Sequence, residues 1–446
     1  MRVAVMADIG QPVYHVGDEA IGHAVRDELV ARGVRPVMLT RNIRHTQSYF
    51  GPVEAARTLC FPWPPADRER HLERLRAVFE GDADALPADD PAHAFLATLR
   101  GVDAVLVAGG GNLNSPYGWL LYERLAALLV AHRLGKPAVV TGQTMGPALT
   151  EHDAGELARA LAGAALVHLR EHHSVELAHR LVPEHRAIVG GLDDAAGWRL
   201  SAPTAADSGG PRIVATFAPT RDPLDRDATA GHLAALLDGL AERADARVEL
   251  VPHMAAPGTD DGDVGFHAAV AAASTSGRLV ALPLPTAEQA ADRVLGADLV
   301  VTSRYHPAVF GATRGVPVFA LVPDQYSDVR IDGALTHHGL GGWAIPFGAL
   351  PTGEAAAALD ALWDDRERIA AHLRDTAAPL LAAHGQRWDT IVSALSGFSF
   401  EAPEWRPAPA LVPPDAVAAA RAAHTPALAA AAAALVDELE AERRVS

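Results

Sequence analysis

Short apolar segments alternate with amphipathic helical segments along most of the chain, and this alternation constrains the fold more than any other feature. Continuous Val, Ile and Leu runs bounded by glycine are typical of strands in a buried parallel sheet. Repeated strand–helix units imply right-handed crossovers, so the first half is predicted to be a doubly wound α/β domain. Its strands are predicted at residues 2–8, 35–40, 103–109, 137–143, 165–170 and 186–191.

The same alternation begins again after a linker rich in Ser, Pro and Gly at residues 201–211. The sequence therefore predicts two Rossmann-like domains, at 1–200 and 211–385, followed by a Pro/Ala-rich helical extension over 386–446. A proline-rich stretch at 46–91 is predicted to be an irregular insertion in the first domain. Two such domains place the carboxyl edges of both sheets at a shared cleft, where ligands bind.

Charge and composition exclude several kinds of site. The net charge of −17 repels phosphate backbones, so we expect no nucleic-acid partner. Lys136 is the single lysine among 38 basic residues, so an anionic ligand must be held by Arg, His, hydroxyls or backbone N–H groups. A P-loop is excluded by the same observation and by the absence of its motif. With Cys60 as the single cysteine, no intrachain disulfide and no Cys-based zinc site can form.

The two ends of the chain bear on its location. Residues 1–8 read as a strand and lack the apolar core and cleavage signal of a secretory leader. No strongly apolar run of about 18 residues is evident, so no membrane span is expected and a cytoplasmic protein is predicted. The alanine-rich segment 415–444 is predicted to be a peripheral helix that serves packing or oligomer contacts, and the oligomeric state is left open.

Glycine and polar residues cluster where three predicted elements begin or end. Gly109, Gly110 and Gly111, with Asn112, directly follow an apolar strand, and glycines there allow close approach to a ligand and free N–H groups for an anion. This segment lacks the GxGxxG spacing, so it only weakly supports a dinucleotide site. Asp18 and Gln143 are two further candidates for ligand contacts, and each has a purely structural alternative. The alternative for Asp18 is a helix N-cap, and the alternative for Gln143 is an ordinary turn.

Two later segments carry arginine and histidine at strand ends. Arg170 and Ser174 lie in LREHHS, where Arg170 suits a carboxylate or phosphate and the three histidines lack the spacing of a metal site. No metal is therefore expected. The other segment, residues 302–307, gives the stronger indication of a functional site, because it follows a buried strand and leads into a helix. It contains Ser303, Arg304, Tyr305 and His306, and His306 is either a helix cap or an anion ligand and general acid.

Taken in order, these segments resemble the polysaccharide pyruvyl transferase family over roughly residues 1–345. The segments that carry the resemblance are GDEAIG, GGGN, GQTMGP, LREHHS and SRYHPAVFGATRGVP. The resemblance implies a two-domain fold like that of GT-B glycosyltransferases. It also implies transfer of a pyruvyl group from phosphoenolpyruvate to sugar hydroxyls as a pyruvate ketal, with phosphoenolpyruvate as co-substrate and no other cofactor.

The family's donor-contacting Arg and His fall on Arg170 and His306. Glu171 replaces the Asp of the family's RDxxS motif, and Thr302 replaces the Ser of its SxRxH motif. The lysine that often follows the next strand in the family is absent, and residues 323–327 stand in its place.

From the resemblance and the chemistry of the residues, His306 is assigned as acid or phosphate partner. Arg170 and Arg304 are assigned as anion clamps, and Asp18 as candidate base. The remaining donor-binding candidates are Ser303, Tyr305, Gly109, Gly110, Gly111, Asn112, Gln143 and Ser174. The competing hypotheses are a GT-B glycosyltransferase that uses a nucleotide sugar, and a non-catalytic binding protein that kept the fold. The acceptor is not identified by the sequence.

Overall fold

The computed structural model describes residues 1–198, 210–219, 223–402 and 404–445. Within it the chain forms two parallel sheets, each covered by helices on both faces. This is the two-domain Rossmann-like fold with a helical C-terminal part that the sequence predicts. Most of the predicted linker at 201–211 lies outside the described residues.

The first sheet, formed by the N-terminal half, has the strand order β4-β3-β1-β5-β7-β8-β9, and β6 pairs with β7. Its central strands are fully buried because they consist of Val, Leu, Ala and Met packed between two helical layers. The elements of this half are β1 (Arg2–Met6), β2 (Tyr14–His15), α1 (Val16–Ala31), β3 (Arg35–Thr40), α2 (Ile43–Phe50), β4 (Glu54–Arg57), α3 (Pro65–Glu80), α4 (Pro91–Arg100), β5 (Ala104–Val107), β6 (Gly110–Leu113), α5 (Gly118–Arg133), β7 (Ala138–Met145), α6 (Glu151–Leu161), β8 (Leu166–Leu169), α7 (His172–Leu181) and β9 (Ile188–Gly190).

The second sheet, formed by the C-terminal half, has the strand order β13-β11-β10-β14-β15-β16. The elements of this half are β10 (Arg212–Thr216), α8 (Pro223–Ala244), β11 (Arg247–Leu250), β12 (Met254–Ala255), α9 (Asp263–Ala273), β13 (Leu279–Ala281), α10 (Ala287–Leu295), β14 (Leu299–Thr302), α11 (Tyr305–Thr313), β15 (Val318–Val322), α12 (Gln325–His337) and β16 (Ile345–Pro346). Three helices follow: α13 (Glu354–Asp364), α14 (Arg366–Leu395) and α15 (Asp415–Val445).

The stretch 46–91 is regular, and the prediction of an irregular insertion is wrong. It contains the end of α2, the edge strand β4, all of α3 and the first residue of α4. The prolines that suggested irregularity include Pro65 and Pro91, which occupy the first turns of α3 and α4. Proline is tolerated at that position because the first N–H groups of a helix have no partner within the helix.

The two halves are in direct contact. The short strand β2 pairs antiparallel with β12 of the other half, with His15 opposite Met254. The backbone N–H of Val16 donates to the carbonyl of His253 at 2.9 Å. These bonds hold the start of α1 against the second sheet.

The last two long helices also connect the halves. The predicted boundary at 385 falls inside α14, whose Arg387 donates to Asp194 of the N-terminal half at 2.9 Å. Helix α15 packs on α13 and β16. In the part of the chain that the structure describes, α15 is the one helix that is long enough and apolar enough, by length and composition, to cross a membrane. From the sequence, this segment is predicted to be a peripheral helix and no membrane span is expected, because its apolar residues are mostly alanine.

Arg387 gives a stability test of the contact between α14 and the N-terminal half. Replacing Arg387 by Ala leaves the fully buried Asp194 carboxylate without its cation, so we expect a loss of about 3 kcal/mol in the free energy of unfolding. Arg406→Ala removes an ion pair with Glu404 at the surface and should change stability by less than about 0.5 kcal/mol. Urea denaturation of both variants measures the difference, and equal midpoints would contradict this account.

Candidate functional site

Residues from both halves meet at the carboxylate of Asp193, just beyond β9. One of its oxygens accepts a hydrogen bond from Arg170 Nη1 at 2.7 Å. The other lies 3.7 Å from His306 Nε2, at the start of α11 in the C-terminal half. The structure therefore brings Arg170 and His306 together between the two sheets. Asp193 is not among the site residues that the sequence analysis assigned.

Arg170 is buried and surrounded by acceptors. Its Nε donates to Thr144 Oγ1 at 2.9 Å and to Glu171 Oε1 at 3.0 Å. Its guanidinium carbon lies 4.1 Å from the centre of the Tyr305 ring, a cation–π contact between the halves. Burial favours a neutral Asp193, yet His306 and Arg170 together hold the pKa of Asp193 well below its usual range. The charge of Arg170 is thus balanced by Asp193 and Glu171.

Asp18 lies in the first turn of α1, which begins at Val16, so it does not cap the helix. Its carboxylate is 3.1 Å from His15 Nδ1. Burial opposes ionisation of Asp18, but His15, His306 and Arg170 lower the pKa of this carboxyl. An ionised carboxylate beside these groups can accept a proton from a bound hydroxyl.

Glu19, the next residue, differs from Asp18. One carboxylate oxygen accepts from the Gly10 N–H at 2.9 Å, and the other is buried without a partner. Burial raises the pKa of Glu19 to about 7.

Arg304 is paired within its own half. Its Nε donates to Asp263 Oδ2 at 3.1 Å, and Asp263 is fully buried. Ser303 Oγ accepts from the Ala218 N–H at 2.9 Å, so Ser303 holds the adjacent loop. The Tyr305 hydroxyl is buried without a hydrogen-bond partner, and burial raises its pKa well above the usual value.

The glycine segment lies against the C-terminal half. The Gly109 N–H donates to Asp194 Oδ2 at 2.8 Å, and the Gly111 carbonyl accepts from the Tyr326 hydroxyl at 2.6 Å. A Cβ on Gly111 would overlap that hydroxyl, and Gly110 adopts φ +152°. These glycines therefore permit close approach of the second half. The side-chain nitrogen of Asn112 is buried without a partner.

The side chains of Gln143 and Ser174, predicted as donor-binding residues, both form hydrogen bonds to protein groups. The Gln143 side chain is fully buried and donates to the carbonyl of Ala108, beneath the glycine segment. Ser174 Oγ accepts from the Met145 N–H at 2.9 Å and donates to Glu171 Oε2 at 2.9 Å. Both side chains therefore hold protein segments in place around the site.

Arg330, in α12, is a candidate that the sequence analysis missed. Its guanidinium stacks 3.9 Å from the Tyr326 ring centre and lies 5.8 Å from that of Tyr305, the ring that Arg170 also contacts. No described carboxylate forms an ion pair with it, whereas Arg170 and Arg304 are both paired. It sits inside a helix with no strand end nearby, so no sequence signal indicated it.

The space at this site is small. A cavity of about 10 Å³ borders Asp193, Tyr305 and His337, which is room for one water at most. A larger cavity, about 350 Å³, lies elsewhere, between α3, α5 and α6. A substrate of several atoms would therefore require the halves, or side chains between them, to move apart. No cluster of three or more His, Cys, Asp or Glu that could hold a metal is found in the described ranges.

The model of one protein family matches residues 15–325, which include Asp18, Arg170, Asp193 and His306. That family is described as polysaccharide pyruvyl transferase. The chain belongs to the polysaccharide pyruvyl transferase family. It is therefore a transferase, as the sequence motifs predicted. Arg330 lies beyond the matched residues of this pyruvyl transferase family member. No curated protein matches the chain in sequence.

Solved structures similar to this pyruvyl transferase family member show the same two-domain fold. A putative UDP-N-acetylglucosamine 2-epimerase from Listeria monocytogenes is 12% identical with TM-score 0.60, covering 91% of this chain and 99% of its own. The S. aureus MnaA–UDP co-structure is 12% identical with TM-score 0.57, covering 90% and 98%. A sucrose-phosphate synthase from Thermosynechococcus elongatus is 16% identical with TM-score 0.55, covering 89% and 99%. At such identities the likeness concerns the fold, and it confirms the predicted GT-B-like arrangement.

Gly17 tests the contact between α1 and His306. A Cβ on Gly17 would overlap the His306 imidazole, so Gly17→Ala should lower the free energy of unfolding by about 1–3 kcal/mol. Gly239→Ala is the matched control, because Gly239 lies exposed in α8 with nothing within 4 Å of the added carbon. That variant should gain about 0.5–1 kcal/mol. If urea denaturation showed the same stability for both variants, the close approach of the halves would be refuted.

Proposed function

We propose that the protein transfers a pyruvyl group from phosphoenolpyruvate to two hydroxyls of a sugar-containing acceptor and forms a pyruvate ketal. The observation that carries the proposal is the meeting of Arg170 and His306 on Asp193 between the two sheets. Membership in the polysaccharide pyruvyl transferase family supports the class of reaction. The donor, the ketal and a cytoplasmic location remain proposals.

The proposed reaction balances without oxidation or reduction. The methylene carbon C3 of phosphoenolpyruvate takes a proton, while the first acceptor hydroxyl bonds to C2 and loses its proton. The second hydroxyl then bonds to C2 as the bond between C2 and the phosphate oxygen breaks, and its proton leaves with the phosphate. The products are the cyclic ketal and inorganic phosphate. A general acid, a general base and anion clamps suffice for these steps, so we propose no metal and no further cofactor.

The residues divide these tasks by position. His306 is the proton donor to C3, because its Nε2 has no hydrogen-bond partner among the described residues and lies beside Asp193. Asp18 is the base that accepts a proton from the first hydroxyl, since its carboxylate is ionised near His306. Arg170, Arg304 and Arg330 bind the donor's carboxylate and phosphate. Arg170 and Arg304 must exchange a protein carboxylate for a donor anion, whereas Arg330 can bind one directly.

The donor can be tested before the acceptor is known. We expect phosphoenolpyruvate to raise the thermal unfolding midpoint of the protein in proportion to the logarithm of its concentration, because a ligand that binds the native state stabilises it. UDP-glucose and UDP-N-acetylglucosamine should not do so. A shift with the nucleotide sugars alone would favour the GT-B glycosyltransferase hypothesis, and no shift with any of them would favour the non-catalytic hypothesis. Once a sugar acceptor has been identified, His306→Ala should abolish the release of phosphate from phosphoenolpyruvate, while His172→Ala, at a side chain 79% exposed, should not.

Arg330 provides the sharper test of the anion site. Arg330→Ala should weaken phosphoenolpyruvate binding by about 10- to 100-fold, because a charge-assisted hydrogen bond to the donor is lost. Arg330→Lys should recover part of the affinity, because the charge stays but the paired geometry is lost. Titration calorimetry measures both variants against the parent protein. Arg406→Ala, at an exposed side chain paired with Glu404, serves as the control for loss of one positive charge. Parent-like affinity of Arg330→Ala would remove Arg330 from the site.

A further inference from the structure

A row of aromatic rings runs from the glycine segment to the surface. The Tyr326 ring, whose hydroxyl bonds to Gly111, lies 5.6 Å from the Tyr117 ring. Tyr117 lies 5.7 Å from Trp119, which stacks on Trp63 at 4.1 Å. We call these four side chains the aromatic row. It begins beside Arg330 and ends at the outer surface of the N-terminal half.

The aromatic row is accessible along its length. The Trp63 residue is 66% exposed, among the most exposed large apolar residues described. Tyr117, Trp119 and Tyr326 are each half-buried. Aromatic residues form only 5% of the chain, so four neighbouring rings that remain open to solvent are unusual. Core packing accounts for part of the Trp119 side chain, which packs against the hydrophobic core, but it does not account for the exposed Trp63.

The row is held in place by the protein. The Arg68 side chain donates to the Trp63 carbonyl, and its guanidinium also lies 5.5 Å from the centre of the Tyr122 ring. Arg68 is itself 6% exposed. Tyr117 is the last residue of a short 3₁₀ segment, Ser115–Tyr117, and its own N–H donates to the side-chain oxygen of Asn114 at 3.1 Å. Because backbone and neighbours fix these residues, the rings present a preformed surface and little ordering entropy is lost when a ligand binds.

We propose that the aromatic row binds the acceptor as a chain of sugar units and leads its terminal hydroxyls to the donor site. The inference rests on the proposed function. The C–H faces of a sugar ring pack on the faces of aromatic rings, whose negative charge they complement. A succession of four rings extends well beyond the length of one sugar ring, so it suits an oligosaccharide better than a single sugar. Tyr326, where the aromatic row begins, lies beside Gly111 and Arg330. The end of a bound oligosaccharide therefore reaches the donor.

The test uses the full chain and an array of oligosaccharides of two to six hexose or N-acetylhexosamine units. The parent protein should bind at least one member of the array. Trp63→Ala and Trp119→Ala should bind it about tenfold less tightly, because stacking on one ring is lost. Trp63→Phe should keep most of the affinity, since it keeps an aromatic face. Phe398→Ala is the matched control, because Phe398 is 70% exposed and lies outside the row.

Three results would overturn the proposal. One is parent-like binding by Trp63→Ala and Trp119→Ala. Another is a parent protein that binds phosphoenolpyruvate but no oligosaccharide on the array. The third is a loss of self-association in Trp63→Ala by sedimentation, which would make the row a contact between copies of the chain. If the parent binds oligosaccharides through Trp63 but does not bind phosphoenolpyruvate, the aromatic row stands and the proposed donor fails.

Discussion

The arrangement of the site depends on the carboxylate of Asp193. It binds Arg170 from the first sheet on one oxygen and approaches His306 from the second sheet on the other. All three side chains are largely removed from water, so the carboxylate balances charges that would otherwise be costly to bury. Its place, directly after β9, means that the same short segment ends the first sheet and joins the two halves electrostatically.

The arginines of the site differ in how freely they can bind an anion. Arg170 is balanced by Asp193 and Glu171, and Arg304 by the fully buried Asp263. A donor anion reaches either guanidinium only by displacing a carboxylate, which offsets much of the electrostatic gain. Arg330 carries no such partner among the described residues, and its stacking on Tyr326 fixes its direction. We therefore propose that an incoming donor anion first contacts Arg330, a residue of the C-terminal half.

The sequence predicted the fold well where short-range rules apply. The strand at residues 35–40 begins and ends as expected, because an apolar run marks it. Proline density misled the prediction at 46–91, where the same residue type starts helices. Strand ends indicated Arg170 and His306, but not which protein groups would surround them. Arg330 and the role of Asp193 depend on how two separate sheets meet, and a local pattern contains no such information.

Helix α15 touches both halves of the molecule. Near its start, Arg421 donates to Asp328 of α12 at 2.8 Å. Near its end, Glu440 accepts from the Glu151 N–H at 2.7 Å, and Arg443 lies 3.2 Å from Glu69. Contacts of this solvent-accessible kind are individually weak. If the halves part to admit substrate, the end of α15 near Arg443 would detach at a small cost in free energy, while the end near Arg421 would stay bound to α12. The helix would then limit how far the molecule opens without holding it closed.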